Sequence, residues 1–332
     1  MASQARPAVS QGALAVSPRL GALLVAACLA LGPAAFAAEH IDFDSVAPNS
    51  DMVQVFQGRT ANTDHLYGEL QLPAKGTAPF PAMVIMHSSM GINDAIGDWV
   101  RIINDLGIAS FVVDSFAPRG LSEFSADRLS FPAGVVDALR ALQVLQRDPR
   151  IDARRIGAIG FSRGAVAAMN SSFERYRAAV LGTSGGRFAL HIAFYGGCAQ
   201  FARTTGSPIL AFVGTKDDFN NVEVCRRDAE ILNRQGTKME LVVYDGAPHA
   251  FDTNMAMQNM PGIQNFRRCA MLQNLDTFEA FLLDGRTLNP EERNRYAQTC
   301  PGRGASRGGD SRYAAAAREK VKLFLAEQFG LH

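Results

Sequence analysis

The stretch that most constrains this chain is Arg155-Ile156-Gly157-Ala158-Ile159-Gly160-Phe161-Ser162-Arg163-Gly164-Ala165-Val166. A short apolar run of strand character feeds Gly160-Phe161-Ser162-Arg163-Gly164, and Ala165-Val166-Ala167-Ala168-Met169 continues it with helix character. Strand, sharp turn and helix is the context in which a G-x-S-x-G pattern becomes a nucleophile elbow. The serine then sits on a strained turn where side chains two positions to either side would collide with the strand or the helix. The plainer reading of the same letters is an ordinary glycine-flanked turn.

The other apolar runs say what sheet surrounds that turn. Residues 82–86, 109–113, 156–159, 192–195, 209–213 and 241–244 are nearly continuous in apolar side chains, as strands buried on both faces of a parallel sheet must be. Between them, 94–106, 133–147, 164–180, 221–235 and 313–329 place apolar residues three and four apart, the helical spacing. The alternation predicts an α/β chain with a doubly wound, mainly parallel sheet flanked by helices. Residues 52–56 and 65–72 alternate as half-exposed strands do, which predicts an antiparallel hairpin at a sheet edge. The 332 residues, 47% of them hydrophobic, suit one large globular domain. Lysine plus arginine (33) nearly cancel aspartate plus glutamate (32), so there is no electrostatic case for nucleic acid.

In such sheets functional groups gather beyond the carboxyl ends of the strands, and four strand ends here carry chemical side chains. Ser162 is the first. Gly214-Thr215-Lys216-Asp217-Asp218-Phe219 follows the run ending at Val213, and Asp245-Gly246-Ala247-Pro248-His249-Ala250-Phe251 follows Tyr244. Serine is a poor nucleophile without a base. A histidine can take its proton near neutral pH, and a carboxylate fixes the histidine tautomer and stabilises the imidazolium. The order Ser, Asp, His is that of α/β-hydrolases. The fourth end, His87-Ser88-Ser89-Met90-Gly91, would complete an oxyanion hole, with backbone N–H groups of Ser89 (or Ser88) and Arg163.

The blocks Gly160-Phe161-Ser162-Arg163-Gly164, Gly214-Thr215-Lys216-Asp217-Asp218-Phe219 and Ala247-Pro248-His249-Ala250-Phe251 together resemble the dienelactone hydrolase family of the α/β-hydrolase superfamily. The resemblance covers roughly residues 81–251. It implies Ser162 as nucleophile, Asp217 as acid with Asp218 the fallback, His249 as base, and Ser89 and Arg163 as oxyanion hole. The founding enzymes carry cysteine at the elbow and lack the segment 252–311. The serine therefore favours a general esterase over a dienelactone specialist.

Other candidates carry competing readings. Arg119, past another strand, would either hold an anionic substrate group or pair with an acid. His87 is a substrate-side candidate whose place at the head of the oxyanion loop also suits loop shaping. His65 and His191 read as structural, and Trp99 as core. No metal or organic cofactor is implied.

At the N-terminus, Arg6 and Arg19 precede the apolar residues 20–31 and the small-residue site Ala35-Phe36-Ala37. This predicts a signal peptide over residues 1–38, cut near Ala37 or Ala38, and a periplasmic or secreted protein without stable membrane insertion. A lipobox reading of Val25-Ala26-Ala27-Cys28 ranks below it, because the apolar tract runs on to a better cleavage site. The mature chain keeps Cys198, Cys225, Cys269 and Cys300. An even number in an exported chain favours disulfides, with Cys198 to Cys225 and Cys269 to Cys300 expected.

One domain over 39–332 with an insertion at about 252–311 is the expected organisation. Within that insertion the pattern predicts a helix over 278–283 and a mobile loop over 302–309. It reads either as a surface insertion pinned by Cys269 and Cys300 or as a lid whose Met255, Met257 and Met260 adapt to an apolar group. The whole chain reads as a serine hydrolase of small esters or lactones. Peptide or thioester cleavage on the same groups, and a non-catalytic binding protein with the fold, are the alternatives.

Overall fold

Eight strands form one sheet in the order β1-β2-β4-β3-β5-β6-β8-β9 in the computed structural model, which describes residues 38–331. Residues 1–37, which hold Cys28 and all but the last residue of the expected signal peptide, lie outside the described residues. The strands are β1 (Glu39–Val46), β2 (Asn62–Gln71), β3 (Phe80–Met86), β4 (Ala109–Asp114), β5 (Ile151–Phe161), β6 (His191–Phe194), β8 (Ile209–Gly214) and β9 (Met239–Tyr244). β1 and β2 run antiparallel at one edge, and from β4 to β9 every neighbouring pair is parallel. The fold is that of an α/β-hydrolase.

The parallel strands β3, β4 and β8 are buried along their whole length, which explains their unbroken apolar sequences. Two helical layers cover them. α2 (Asp94–Asp105) and α8 (Ser311–Phe329) bury Trp99, Ile103, Val321 and Leu325 on one face. On the other face, α3 (Phe131–Leu145), α4 (Arg163–Asn170), α5 (Glu174–Leu181) and α6 (Val222–Arg234) bury Leu139, Leu142, Ala168, Tyr176 and Leu232. Phe194 stacks on Phe212 at 4.5 Å and meets Trp99 at 5.1 Å and Phe161 at 5.2 Å, an aromatic core directly beneath the strand ends. The strand order gives the fold its crevice. From β3 the chain steps to β4 on one side, and from β5 to β6 on the other, so the loops leaving β3 and β5 diverge around a topological switch point.

Four sequence expectations need correction. Residues 52–56 form helix α1 (Met52–Phe56), not a strand, and the edge hairpin pairs β1 with β2. Asp51 and Gln54 form a capping box, and Met52, Val55 and Phe56 share the face packed on the core while Val53 is exposed; spacings of three and four outweigh the apparent alternation. The expected helix over 164–180 is two helices, because the buried Phe173 bridges to Thr204 and interrupts it.

The other two corrections lie in the segment 252–311. Residues 278–283 hold strand β12 (Ala280–Leu282), which pairs with β11 (Met271–Asn274) and β13 (Thr287–Leu288); β11 also pairs with β7 (Gln200–Phe201). The expected loop over 302–309 is largely strand β14 (Gly302–Arg307), paired antiparallel with β10 (Gln258–Asn265). Helix α7 (Pro290–Thr299) lies between β13 and β14 in the chain. Both expected disulfides are present, Cys198–Cys225 and Cys269–Cys300.

Candidate active site

Ser162 sits between β5 and α4 with φ 52° and ψ −112°, a strained conformation for a residue with a side chain. The flanking glycines are what permit it. A Cβ on Gly160 would lie 2.0 Å from the Gly164 carbonyl oxygen, and one on Gly164 would lie 2.1 Å from that of Met86. The serine is thereby held at the sheet's C-terminal edge, at the switch point.

His249, past β9, accepts from the Ser162 hydroxyl at Nε2, with Oγ 2.9 Å away. Its Nδ1 faces both oxygens of Asp217, at 2.9 and 3.1 Å, an arrangement that fits Nδ1–H donating to the carboxylate and leaves Nε2 as the acceptor. Asp217 follows β8 and is itself held. Oδ1 accepts from the Phe219 N–H at 2.7 Å, and Oδ2 from Asn220 Nδ2 at 2.9 Å. Asn220 also donates to the Tyr195 carbonyl. Asp217 and His249 are buried, with 4% and 5% exposure, so their pairing is shielded from water.

A second tier braces the histidine. The Tyr195 ring meets the His249 ring edge-on at 4.7 Å, and Phe219 covers it at 4.4 Å. The Tyr195 hydroxyl donates to Asp252 at 2.7 Å, as does Trp99 Nε1. Burial raises the Asp252 pKa, while the Trp99 and Tyr195 hydrogen bonds oppose that shift.

The loop after β3 turns tightly, with Ser88 bridging to Gly91 and its Oγ accepting from the Met90 N–H. Ser89 and Arg163 both line the cavity that holds Ser162 and His249. Arg163 heads α4, where a backbone N–H has no partner within the helix. Its guanidinium lies over Phe131 at 4.6 Å, donates to the Leu129 carbonyl, and reaches Ser89 Oγ at 3.4 Å.

The cavity measures about 360 Å³. Met90, Phe131, Val166 and Phe219 give it an apolar lining, and Ile263, Gln264, Phe266 and Arg307 add a wall from β10, β14 and the turn after β10. That wall comes from the segment 252–311, but the three methionines named from sequence are not part of it. Its contributors carry no pattern by which they could be picked out in the sequence. Asn220 and Tyr195 could have been noticed as polar side chains at strand ends.

Two sequence candidates are not at the site. Arg119 is corrected from a substrate ligand to a structural cation: its side chain is 1% exposed. It forms a two-pronged pair with Asp137 at 2.7 and 2.9 Å, and also donates to Asp64, Val46 and Ser115. Burial disfavours its charge, but Asp137 and Asp64 outweigh that and leave its pKa raised. His87 is likewise corrected. It is buried, donates from Nδ1 to the Ser88 carbonyl at 2.7 Å, and accepts the Ser115 N–H at Nε2. Burial lowers its pKa, and a neutral ring suits those two partners. Asp218 turns away from the histidine, toward Ser306 and Arg267.

The family model described as the dienelactone hydrolase family matches residues 68–281. The chain is 24% identical over 196 residues to a Bradyrhizobium protein described as a probable 2-oxo-3-(5-oxofuran-2-ylidene)propanoate lactonase, covering 53% of this chain and 75% of that one. Among solved structures it is similar to Thermogutta terrifontis esterase 2 phosphorylated by paraoxon, at 19% identity and a TM-score of 0.49 over 65% of this chain and 85% of the other. It is also similar to a dienelactone hydrolase-like promiscuous phosphotriesterase from metagenomic libraries, at 18% identity and a TM-score of 0.44 over 66% and 86%.

Proposed function

The chain belongs to the dienelactone hydrolase family, and from that premise we propose that it is a serine hydrolase of small carboxylic esters or lactones, acting through an acyl-Ser162 intermediate. One observation carries the reading: Ser162 Oγ, His249 and Asp217 form a continuous hydrogen-bonded chain opening on a largely apolar cavity. Ser162 Oγ attacks the acyl carbon while its proton passes to His249 Nε2, and Asp217 stabilises the imidazolium. The backbone N–H groups of Ser89 and Arg163 receive the oxyanion as fixed donors that need no reorganisation when the charge develops. Collapse of the tetrahedral intermediate expels the alkoxide, which leaves with the proton held on His249. Water then enters and attacks the acyl carbon while giving one of its own protons to His249 Nε2; the second tetrahedral intermediate collapses, Ser162 Oγ takes that proton from His249, and the acid is released.

The cavity's size suits a substrate of small-molecule dimensions. Its apolar lining would take the hydrocarbon part of either the acyl or the alcohol group. Residues 39–332 act as one hydrolase domain in this reading, with 252–311 adding a wall to the site. Two disulfides fit an oxidising compartment outside the cytosol. No helix among the described residues is long and apolar enough to cross a membrane. The test is Ser162→Ala assayed on p-nitrophenyl acetate: burst and turnover should vanish while the circular dichroism spectrum stays unchanged. Turnover at the wild-type rate would reject the mechanism.

A further inference from the structure

The acid and the base stand on separate loops, beyond the ends of the neighbouring parallel strands β8 and β9. Backbone ties between those loops reach only as far as the Lys216 N–H on the Ala247 carbonyl, at 3.1 Å. That is one residue short of the acid and two short of the base. What holds the two loops together past that point is β14.

Ser306 donates twice to one oxygen of Asp218, from its N–H at 2.8 Å and its hydroxyl at 2.7 Å. Arg267 holds the other Asp218 oxygen at 2.7 Å. Asp217 and Asp218 are consecutive and diverge, one carboxylate to the histidine and the other to β14. The next residues of the same strand grip the base: Arg307 pairs with His249 in parallel register, and the Gly308 N–H donates to the His249 carbonyl at 2.9 Å. Gly309 and Asp310 continue the zipper onto Met255 and Phe251. A single three-residue run, Ser306 to Gly308, thus spans both loops.

The far end is anchored too. Asn221, which caps α6 four residues after Asp217, donates to the Cys269 carbonyl at 3.2 Å. Cys269 follows β10 and is bridged to Cys300, just ahead of β14, close to where Asn265 pairs with Gly302. The β10–β14 ribbon is therefore closed covalently at its base and hydrogen-bonded to the catalytic loops at its tip.

We propose that Ser306, acting through Asp218, is a positioning residue that sets the acid loop against the base loop and so keeps Asp217 aligned on His249. The proposal rests on the reading of Ser162, His249 and Asp217 as the catalytic set. An exposed ion pair would contribute little, but the Asp218 side chain is only 15% exposed and receives two charge-assisted hydrogen bonds from one residue. The reaction tolerates little misalignment: a displacement of about 1 Å costs on the order of 100-fold. Neither Ser306 nor Asp218 lines the catalytic cavity, so loss of the link should act on turnover rather than on binding.

The experiment compares Ser306→Ala and Ser306→Thr with the full-length wild type on p-nitrophenyl butyrate, alongside thermal melts. Expected are a fall in kcat of at least about tenfold for Ser306→Ala, an unchanged KM and melting temperature, and recovery in Ser306→Thr, which keeps both donors. Wild-type kcat in Ser306→Ala, or a loss expressed only in KM, overturns the proposal. Should Ser306→Ala fail to fold, Asp218→Ala, which removes the acceptor of both Ser306 bonds, must show the same loss of kcat at constant KM, and wild-type kcat there overturns it equally. Absence of turnover in the wild type itself is a different result, one that removes the ester-hydrolase reading.

Discussion

The sheet and the β10–β14 ribbon both touch the triad, yet they are built in opposite ways. The sheet is held by burial: β3, β4 and β8 have no exposed residue, and the aromatic cluster around Phe194 fills the space beneath the site. The ribbon is largely polar, with β10 mostly exposed and β14 mostly half-buried. Of β10 only Asn265 is buried, and of β14 only Ala305. It buries little apolar surface of its own and is held by a disulfide and by backbone zippering. In the proposed mechanism the sheet supplies the reacting atoms and the ribbon keeps their loops aligned; the ribbon also walls the cavity. The strained elbow is affordable because the rigid part carries it.

This contrast can be broken most severely at the elbow. Gly164→Val would drive a side chain into the Met86 carbonyl, and the expected result is no soluble, active protein in an expression and activity assay; an active variant would show that the elbow has slack. Next comes the buried pair of the sheet side. Arg119→Ala leaves Asp137 fully buried without its cation, and should cost about 3–5 kcal/mol in urea denaturation. A KM shift specific to anionic esters, without loss of stability, would return Arg119 to the role expected from sequence.

On the ribbon side, Cys269→Ser with Cys300→Ser opens a loop of 31 residues, with a loop-entropy cost of about 3–4 kcal/mol. Local loss is expected: activity and protease resistance of 258–307 should fall well before the sheet melts. A single cooperative transition shifted as a whole would contradict the division into two kinds of region.

The smallest effect is a pH dependence. Burial pushes the His191 pKa down to about 4. Above pH 6.5 both folded and unfolded states hold the ring neutral, and stability is full. Below that the unfolded chain takes a proton the native state refuses, so stability falls until about pH 4, by at most about 3 kcal/mol. His191→Asn should flatten stability across that window, and an unchanged slope would assign the acid sensitivity elsewhere.

The same contrast decides what the sequence discloses. Packing inside the sheet obeys short periods, so the strands, most helices and the four loaded strand ends can be read from local pattern. The acid, the base and the elbow each sit where a strand stops, and stopping signals are local. Phe131, Ile263, Phe266 and Arg307 reach the cavity through contacts between residues far apart in the chain, which no periodicity encodes. Arg119 misleads for the same reason, since its partners Asp64 and Asp137 lie 55 and 18 residues away. Residues 52–56 mislead differently, because a five-residue helix is too short for alternation and helical spacing to be told apart without its cap.

The central claim is that Ser162 is a nucleophile activated by His249. The direct measurement is mass-spectrometric mapping of the intact protein after reaction with a fluorophosphonate. One adduct per chain on the Ser162 peptide is expected, lost in Ser162→Ala and strongly slowed in His249→Ala. An unlabelled wild type, or an adduct on any other residue that survives Ser162→Ala, would contradict it.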